Sequence, residues 1–151
     1  MRLCKGCFLF SLLSVQYFLT HFQNIGNNGH TSISAIAAFF QTEIGQRLRT
    51  ATNVQREFKF SILDDGREYV PGLQGEQVLL QGVVDCALIE PDGITVLDFK
   101  SDRGSAKELD TLVDRYRLQV NTYAQALSRI FELPIKAKGL YFFHHAHLTW
   151  L

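Results

Sequence analysis

The stretch VLLQGVVDCALIEPDGITVLDFK, residues 78–100, constrains the fold more than any other part of the chain. Two apolar, β-branched runs flank Pro91-Asp92-Gly93, a strong turn signal, and together they read as a β-hairpin. Three charged residues interrupt it: Asp85, Asp98 and Lys100, all set among apolar neighbours. If Asp92-Gly93 is a two-residue turn, Pro91 faces Ile94 and Asp85 lies opposite Lys100. Asp98 then shares their face as the diagonal neighbour of Asp85. Facing residues sit about 5 Å apart at Cβ and diagonal ones about 7–8 Å, close enough for two carboxylates to hold one ion. A cross-strand salt bridge among the three explains the same spacing equally well.

The flanking sequence supplies the layers around this hairpin. TSISAIAAFFQTEIGQRL places Ile33, Ile36, Ala37, Phe40, Ile44 and Leu48 at helical spacing, with Thr31 or Ser32 as N-cap. REFKFSIL alternates through Phe58, Phe60 and Ile62 as a strand and ends at Asp64-Asp65-Gly66. A long helix is expected from about Lys107 to Phe131. Leu109, Leu112, Val113, Tyr116, Val120, Tyr123, Ala124, Leu127 and Ile130 form its apolar stripe, and Pro134 stops it. KAKGLYFFHHAHL reads as a last strand. The order helix, three strands, helix, strand predicts an α/β fold, with helices packed on a mixed sheet.

A chain of 151 residues, 46% hydrophobic and 20% charged, suits one globular domain with a real core. Lys+Arg and Asp+Glu are both 15, so a nucleic-acid partner requires local positive charge. Arg47 with Arg49, Arg103 with Lys107, and Arg115 with Arg117 are the candidates, each more simply read as a solvated helix face. Three cysteines give no disulfide framework and fit a reducing, cytoplasmic compartment. Cys4-x-x-Cys7 lacks the second pair that would complete a zinc site. CFLFSLLSVQYFL, residues 7–19, follows Arg2 and Lys5 like an export signal, but no small-x-small site follows. It is also shorter than the roughly 20 residues of a membrane span. A buried helix or a segment foreign to the domain is the better reading, and NIGNNGH, residues 24–30, marks a boundary.

The long helix adds QVNTY, which sets Gln119 and Tyr123 four residues apart on one face. A side-chain amide beside a phenol can hold phosphate or base groups of DNA. Tyr123 packed in the core and Gln119 at the surface is the plainer alternative.

GVVD, then LDFK, then QVNTY resembles the PD-(D/E)XK nucleases of the RecB-like branch. Within that branch it is most similar to the C-terminal nuclease domain of the AddA/RexA subunits of bacterial helicase–nucleases. FFQTEIGQRL, REFKF, YRLQVNTYAQALSRIF and KGLYFF follow in the family's order, from about Ile33 to the end. The resemblance implies a restriction-endonuclease-like fold and a Mg²⁺-dependent exonuclease (with Mn²⁺ as the alternative ion) acting on DNA in double-strand break repair and recombination. An AddB/RexB-like subunit is the implied partner. Asp85, Asp98 and the backbone carbonyl of Phe99 are the implied metal ligands, and Lys100 is the implied catalytic lysine. Gln119 and Tyr123 are implied to support substrate and site. Glu57 in REFKF matches an acidic position of the family, with a structural salt bridge as its expected role.

The departures are also specific. The family's metal-binding histidine sits on an earlier helix in a glycine-led motif; His30 after Gly29, and His21 in the apolar segment, do not have that context. There is no G-x-x-x-x-G-K-[ST] motif, hence no ATP site, and no cysteine cluster for iron–sulfur. His144, His145 and His147 are expected to serve packing or the surface rather than metal ligation. The division expected is an atypical segment 1–28 and a nuclease domain 29–151, the C-terminal piece of a longer helicase–nuclease. A catalytically inactive DNA-binding or scaffold module of the same fold is the competing reading, and a small membrane-tethered or secreted protein a third.

Overall fold

The computed structural model describes residues 31–68, 71–103 and 105–151. Cys4-x-x-Cys7, the 7–19 segment, the 24–30 boundary, His21 and His30 lie outside these residues.

Two short helices open the described chain: α1 (Ile33–Phe39) and α2 (Glu43–Thr50). Apolar periodicity alone predicts one helix here, and the break has a local cause. Thr42 caps α2 by accepting from the Gly45 N–H at 3.1 Å, while its hydroxyl donates to the Phe39 carbonyl at 2.6 Å. A Cβ at Gly45 would lie 2.2 Å from that same carbonyl oxygen, so the sharp corner requires glycine. Ser32 caps α1 through the Ala35 N–H, as the sequence indicates. Ile33, a member of the expected apolar stripe, is exposed.

Then come β1 (Val54–Asp65), β2 (Gln77–Glu90), β3 (Gly93–Lys100), the long helix α3 (Leu109–Phe131), β4 (Ile135–Phe142) and β5 (His147–Trp150). The sheet order is β1-β2-β3-β4-β5. All neighbours are antiparallel except β3 and β4, which are parallel and joined across α3. The fold is therefore α/β with a mixed five-stranded sheet. The last strand expected from the sequence is in fact two. A 3₁₀ turn at Phe143–His145, with Ala146 at φ 46°, folds the chain back as β5.

The sheet is covered on both faces. On one, α1 and α2 bury Ile36, Phe39, Phe40, Ile44 and Leu48 against Cys86, Leu88, Leu97, Phe99 and Tyr141. On the other, α3 sets Leu112, Val113, Val120, Ala124 and Leu127 against Val84, Ala87, Ile94, Val96 and Leu140. Ile130 is exposed; Phe131 packs in its place, 5.4 Å from Phe58 between ring centroids.

The hairpin register differs from the sequence expectation. Glu90 pairs with Gly93, Ile89 with Ile94 and Cys86 with Leu97, so the turn residues are Pro91 and Asp92. Gly93 begins the strand because its backbone, at φ 146°, lies against β4: a Cβ there would sit 2.7 Å from the Pro134 carbonyl. The shift is by two residues, so every side chain keeps its face. Continued past Cys86, this register brings Asp98, not Lys100, opposite Asp85.

Candidate active site

The site forms where β2 and β3 part. Their backbone ladder ends at Cys86–Leu97, while β2 continues with β1 to Gln77 and β3 continues with β4 to Lys100. In β2, Cys86 and Leu88 pack toward α1 and α2, yet Val84 and Ala87 both pack toward α3. Strand alternation is broken between them, at Asp85. Across from it in β1 the ladder skips Glu57, which lies between the Arg56–Cys86 and Phe58–Val84 pairs and has a left-handed φ of 48°. The kink lets Asp85 turn into the opening, where its carboxylate accepts the Phe99 N–H at 2.8 Å.

Asp98 shares the α3 face with Val96 and is only 2% exposed. Two carboxylates in one sheltered spot are electrostatically costly. Burial raises the Asp85 carboxyl to about 7, with the neighbouring charge of Asp98 as the next cause. Burial also raises Asp98, partly offset by Lys100. Lys100 Nζ lies 2.6 Å from Asp98 Oδ2, but off the line of a hydrogen bond. That buried oxygen therefore has no aligned donor. A sheltered carboxylate pair with an uncapped oxygen fits a hard divalent cation, which favours oxygen ligands. Among the described residues, no third His, Cys, Asp or Glu joins them in a cluster of ligands.

Helix α3 completes the arrangement. Lys100 Nζ donates to Gln119 Oε1 at 3.1 Å, and Gln119 Nε2 donates to Tyr123 Oη at 2.9 Å. Gly82 makes room for this: a Cβ there would come within 2.7 Å of the Tyr123 ring. The sequence pattern assigns Tyr116 to the core stripe and gives no role to Asp102, yet both belong here. The Lys100 ammonium sits 3.9 Å above the centre of the Tyr116 ring. The Tyr116 hydroxyl donates to Asp102 at 3.1 and 3.2 Å. The available signal was spacing, since Tyr116, Gln119 and Tyr123 share one helical face and Asp102 follows Lys100 by two.

The remaining residues singled out lie apart from this cluster. Glu57 is half-buried on β1 opposite Asp85 and, among the described residues, belongs to no three-ligand cluster. His144 and His147 are exposed, and His145 is half-buried with its Nε2 unpartnered. Cys86 is buried and its thiol is pushed up to about 12, mainly by burial, which removes it as a nucleophile. Among the described residues, no helix is long and apolar enough to cross a membrane.

Comparison with known proteins places the chain in a family. Residues 22–149 match the model of the PD-(D/E)XK nuclease superfamily. The chain is 38% identical over 128 residues to the A subunit of an ATP-dependent helicase/nuclease of Bacillus mycoides, covering 78% of this chain and 10% of that protein. The protein of the same description from Bacillus cytotoxicus is 38% identical over 127 residues, with the same coverage. One from Bacillus cereus is 35% identical over 128 residues, again covering 78% and 10%. The chain thus spans about 10% of the length of these relatives. With a family match across most of its length, a mixed sheet parted at two aspartates and a lysine beside them, the chain belongs to the PD-(D/E)XK nuclease superfamily.

Proposed function

We propose that this chain is a Mg²⁺-dependent DNA nuclease domain, an exonuclease of the AddA/RexA kind that works in double-strand break repair and recombination. The observation that carries the reading is the meeting of Asp85 and Asp98 on one face at the strand split, with Lys100 2.6 Å from Asp98. Residues 29–151 form the nuclease domain in this reading, residues 1–28 an atypical segment ahead of it. DNA is the substrate, an AddB/RexB-like subunit the partner in the longer protein, and the cytoplasm the compartment.

Asp85 and Asp98 would hold the ion, with the Phe99 carbonyl as a further oxygen ligand; Mn²⁺ would serve in place of Mg²⁺. When bound, the ion would lower the pKa of a coordinated water and offset charge building on phosphorus. The chain's own groups do the rest. Lys100 has three N–H donors, of which only the one to Gln119 is an aligned hydrogen bond. Another is available to a phosphate oxygen or to the attacking water. Asp98 and the Tyr116 ring hold the ammonium at the opening. Gln119 is itself fixed by Tyr123, so the donor is held in place before substrate arrives.

The sequence context of His21 and His30, which does not match the family's glycine-led motif, favours one second reading, an inactive DNA-binding module. Cleavage separates the two. The purified chain should cut linear DNA in millimolar Mg²⁺ or Mn²⁺, stop in EDTA, and lose activity at least about a hundredfold in Lys100→Ala. Cleavage that persists in EDTA rules out the mechanism, and no cleavage with intact DNA binding favours the module.

A further inference from the structure

The carboxyl end of β3 opens onto a cavity of about 230 Å³, on the sheet face opposite the aspartates. Thr31, Ser32, Ser101, Arg103, Phe143 and His144 line it. Ser101 directly follows Lys100 at the end of β3, and Phe143 directly follows Phe142 at the end of β4. These are the two parallel strands, and open α/β sheets gather ligands at the carboxyl ends of such strands.

The lining is chemically one-sided. Among the described residues it contains no carboxylate. The neighbouring cavity on the α3 side mixes Asp102 and Glu108 with Arg103 and Arg115. A third, near the far end of α3, contains ion pairs already closed: Arg67–Asp65 and Arg129–Asp64, both at 2.6 Å. Elsewhere Arg47 and Lys136 are committed to Glu90 at 2.8 and 2.9 Å. Arg103 makes no ion pair or hydrogen bond among the described residues, and the only partner of His144 there is the His145 ring, 5.1 Å away. An uncommitted guanidinium and an imidazole, beside hydroxyls, form a site for an oxyanion. Among the described residues, the one aromatic ring in the lining besides the imidazole, Phe143, is buried and offers no face on which a base could stack.

We propose that this cavity binds a backbone phosphodiester of the substrate strand, adjacent to the phosphate held at Asp85 and Asp98. The site rests on the nuclease reading above. Consecutive Cα atoms are about 3.8 Å apart, so Arg103 stands roughly 11 Å or less along the backbone from Lys100. A strand crossing the ends of β3 and β4 thus presents one phosphate to Lys100 and a neighbouring one to Arg103 and His144. Arg103 and His144 act in binding and take no part in bond cleavage.

The test is steady-state cleavage of a single-stranded oligonucleotide in Mg²⁺ at several salt concentrations, by wild type, Arg103→Ala, Arg103→Lys and Arg103→Ala/His144→Ala. Arg103 and His144 are not buried, so the substitutions should leave the fold intact, which circular dichroism checks. The double variant should raise KM about tenfold with kcat within about twofold. The dependence of log KM on log salt should fall by about 0.7 for each phosphate no longer held. Arg103→Lys should recover part of the loss. A single methylphosphonate next to the cut should raise the wild-type KM similarly and add nothing in the double variant. Wild-type cleavage with unchanged KM and salt slope in the double variant overturns this site and leaves the nuclease reading standing. A wild-type chain that binds no oligonucleotide in Ca²⁺ overturns both.

Discussion

Asp85 is the residue at which strand geometry and charge meet. The kink opposite Glu57 turns it into the opening, and burial with Asp98 nearby raises its carboxyl to about 7. The folded, metal-free protein therefore binds this proton more tightly than the unfolded chain, whose ordinary value is 3.8. The resulting stabilisation is fully present below the unfolded value and is lost as pH rises through about 7. Metal-free melting temperature should be higher at pH 5.5 than at pH 8, by on the order of 5 °C. Saturating Mn²⁺ should narrow that gap by stabilising the ionised pair. A metal-free melting temperature that rises from pH 5.5 to 8 would show that the pair is not strained. Tyr116 makes a separate prediction. Tyr116→Leu removes the ring 3.9 Å from Lys100 and should lower kcat about tenfold, whereas Tyr116→Phe keeps most activity. Equal losses in both variants would move the effect from the ring to the Asp102 hydrogen bond.

At the scale of elements, periodic segments were legible and their interruptions were not. The hairpin, α3 and β1 carry long apolar patterns, and each lies within a few residues of where the sequence puts it. The split into α1 and α2 depends on a Thr42 hydroxyl and on a glycine wedged against Phe39, which leave the apolar spacing intact. The β4–β5 turn likewise falls inside an unbroken aromatic and histidine run. The register error has a tertiary source: Gly93 behaves as a turn residue in sequence but is claimed by β4. Because the slip was even, Asp85, Asp98 and Lys100 still shared a face. Tyr116 was missed because an aromatic in a helical stripe has the same signature whether it packs a core or carries a cation. Gly45→Ala tests the corner between α1 and α2. With a Cβ 2.2 Å from the Phe39 oxygen it should cost about 1–3 kcal/mol in urea unfolding, where an unstrained Gly→Ala would stabilise. A neutral or stabilising result would mean that the corner relaxes freely.

The whole molecule places a mixed sheet between two apolar layers, and Asp85, Asp98 and Lys100 gather where β2 and β3 separate. With a formal net charge of zero, attraction for a polyanion in the proposed reading would have to come from a cation held at the split and from side chains such as Arg103. The region of this chain that matches its relatives covers 10% of their length. If Asp85 and Asp98 form one divalent-cation site, titration of the purified chain with Mn²⁺, followed by calorimetry and electron paramagnetic resonance, reads it most directly. The expected result is one ion per chain at the site, with proton release that grows as pH falls from 8 toward 6, and loss of that ion in Asp98→Asn and in Asp85→Asn. Equal Mn²⁺ binding by wild type and both variants would contradict it.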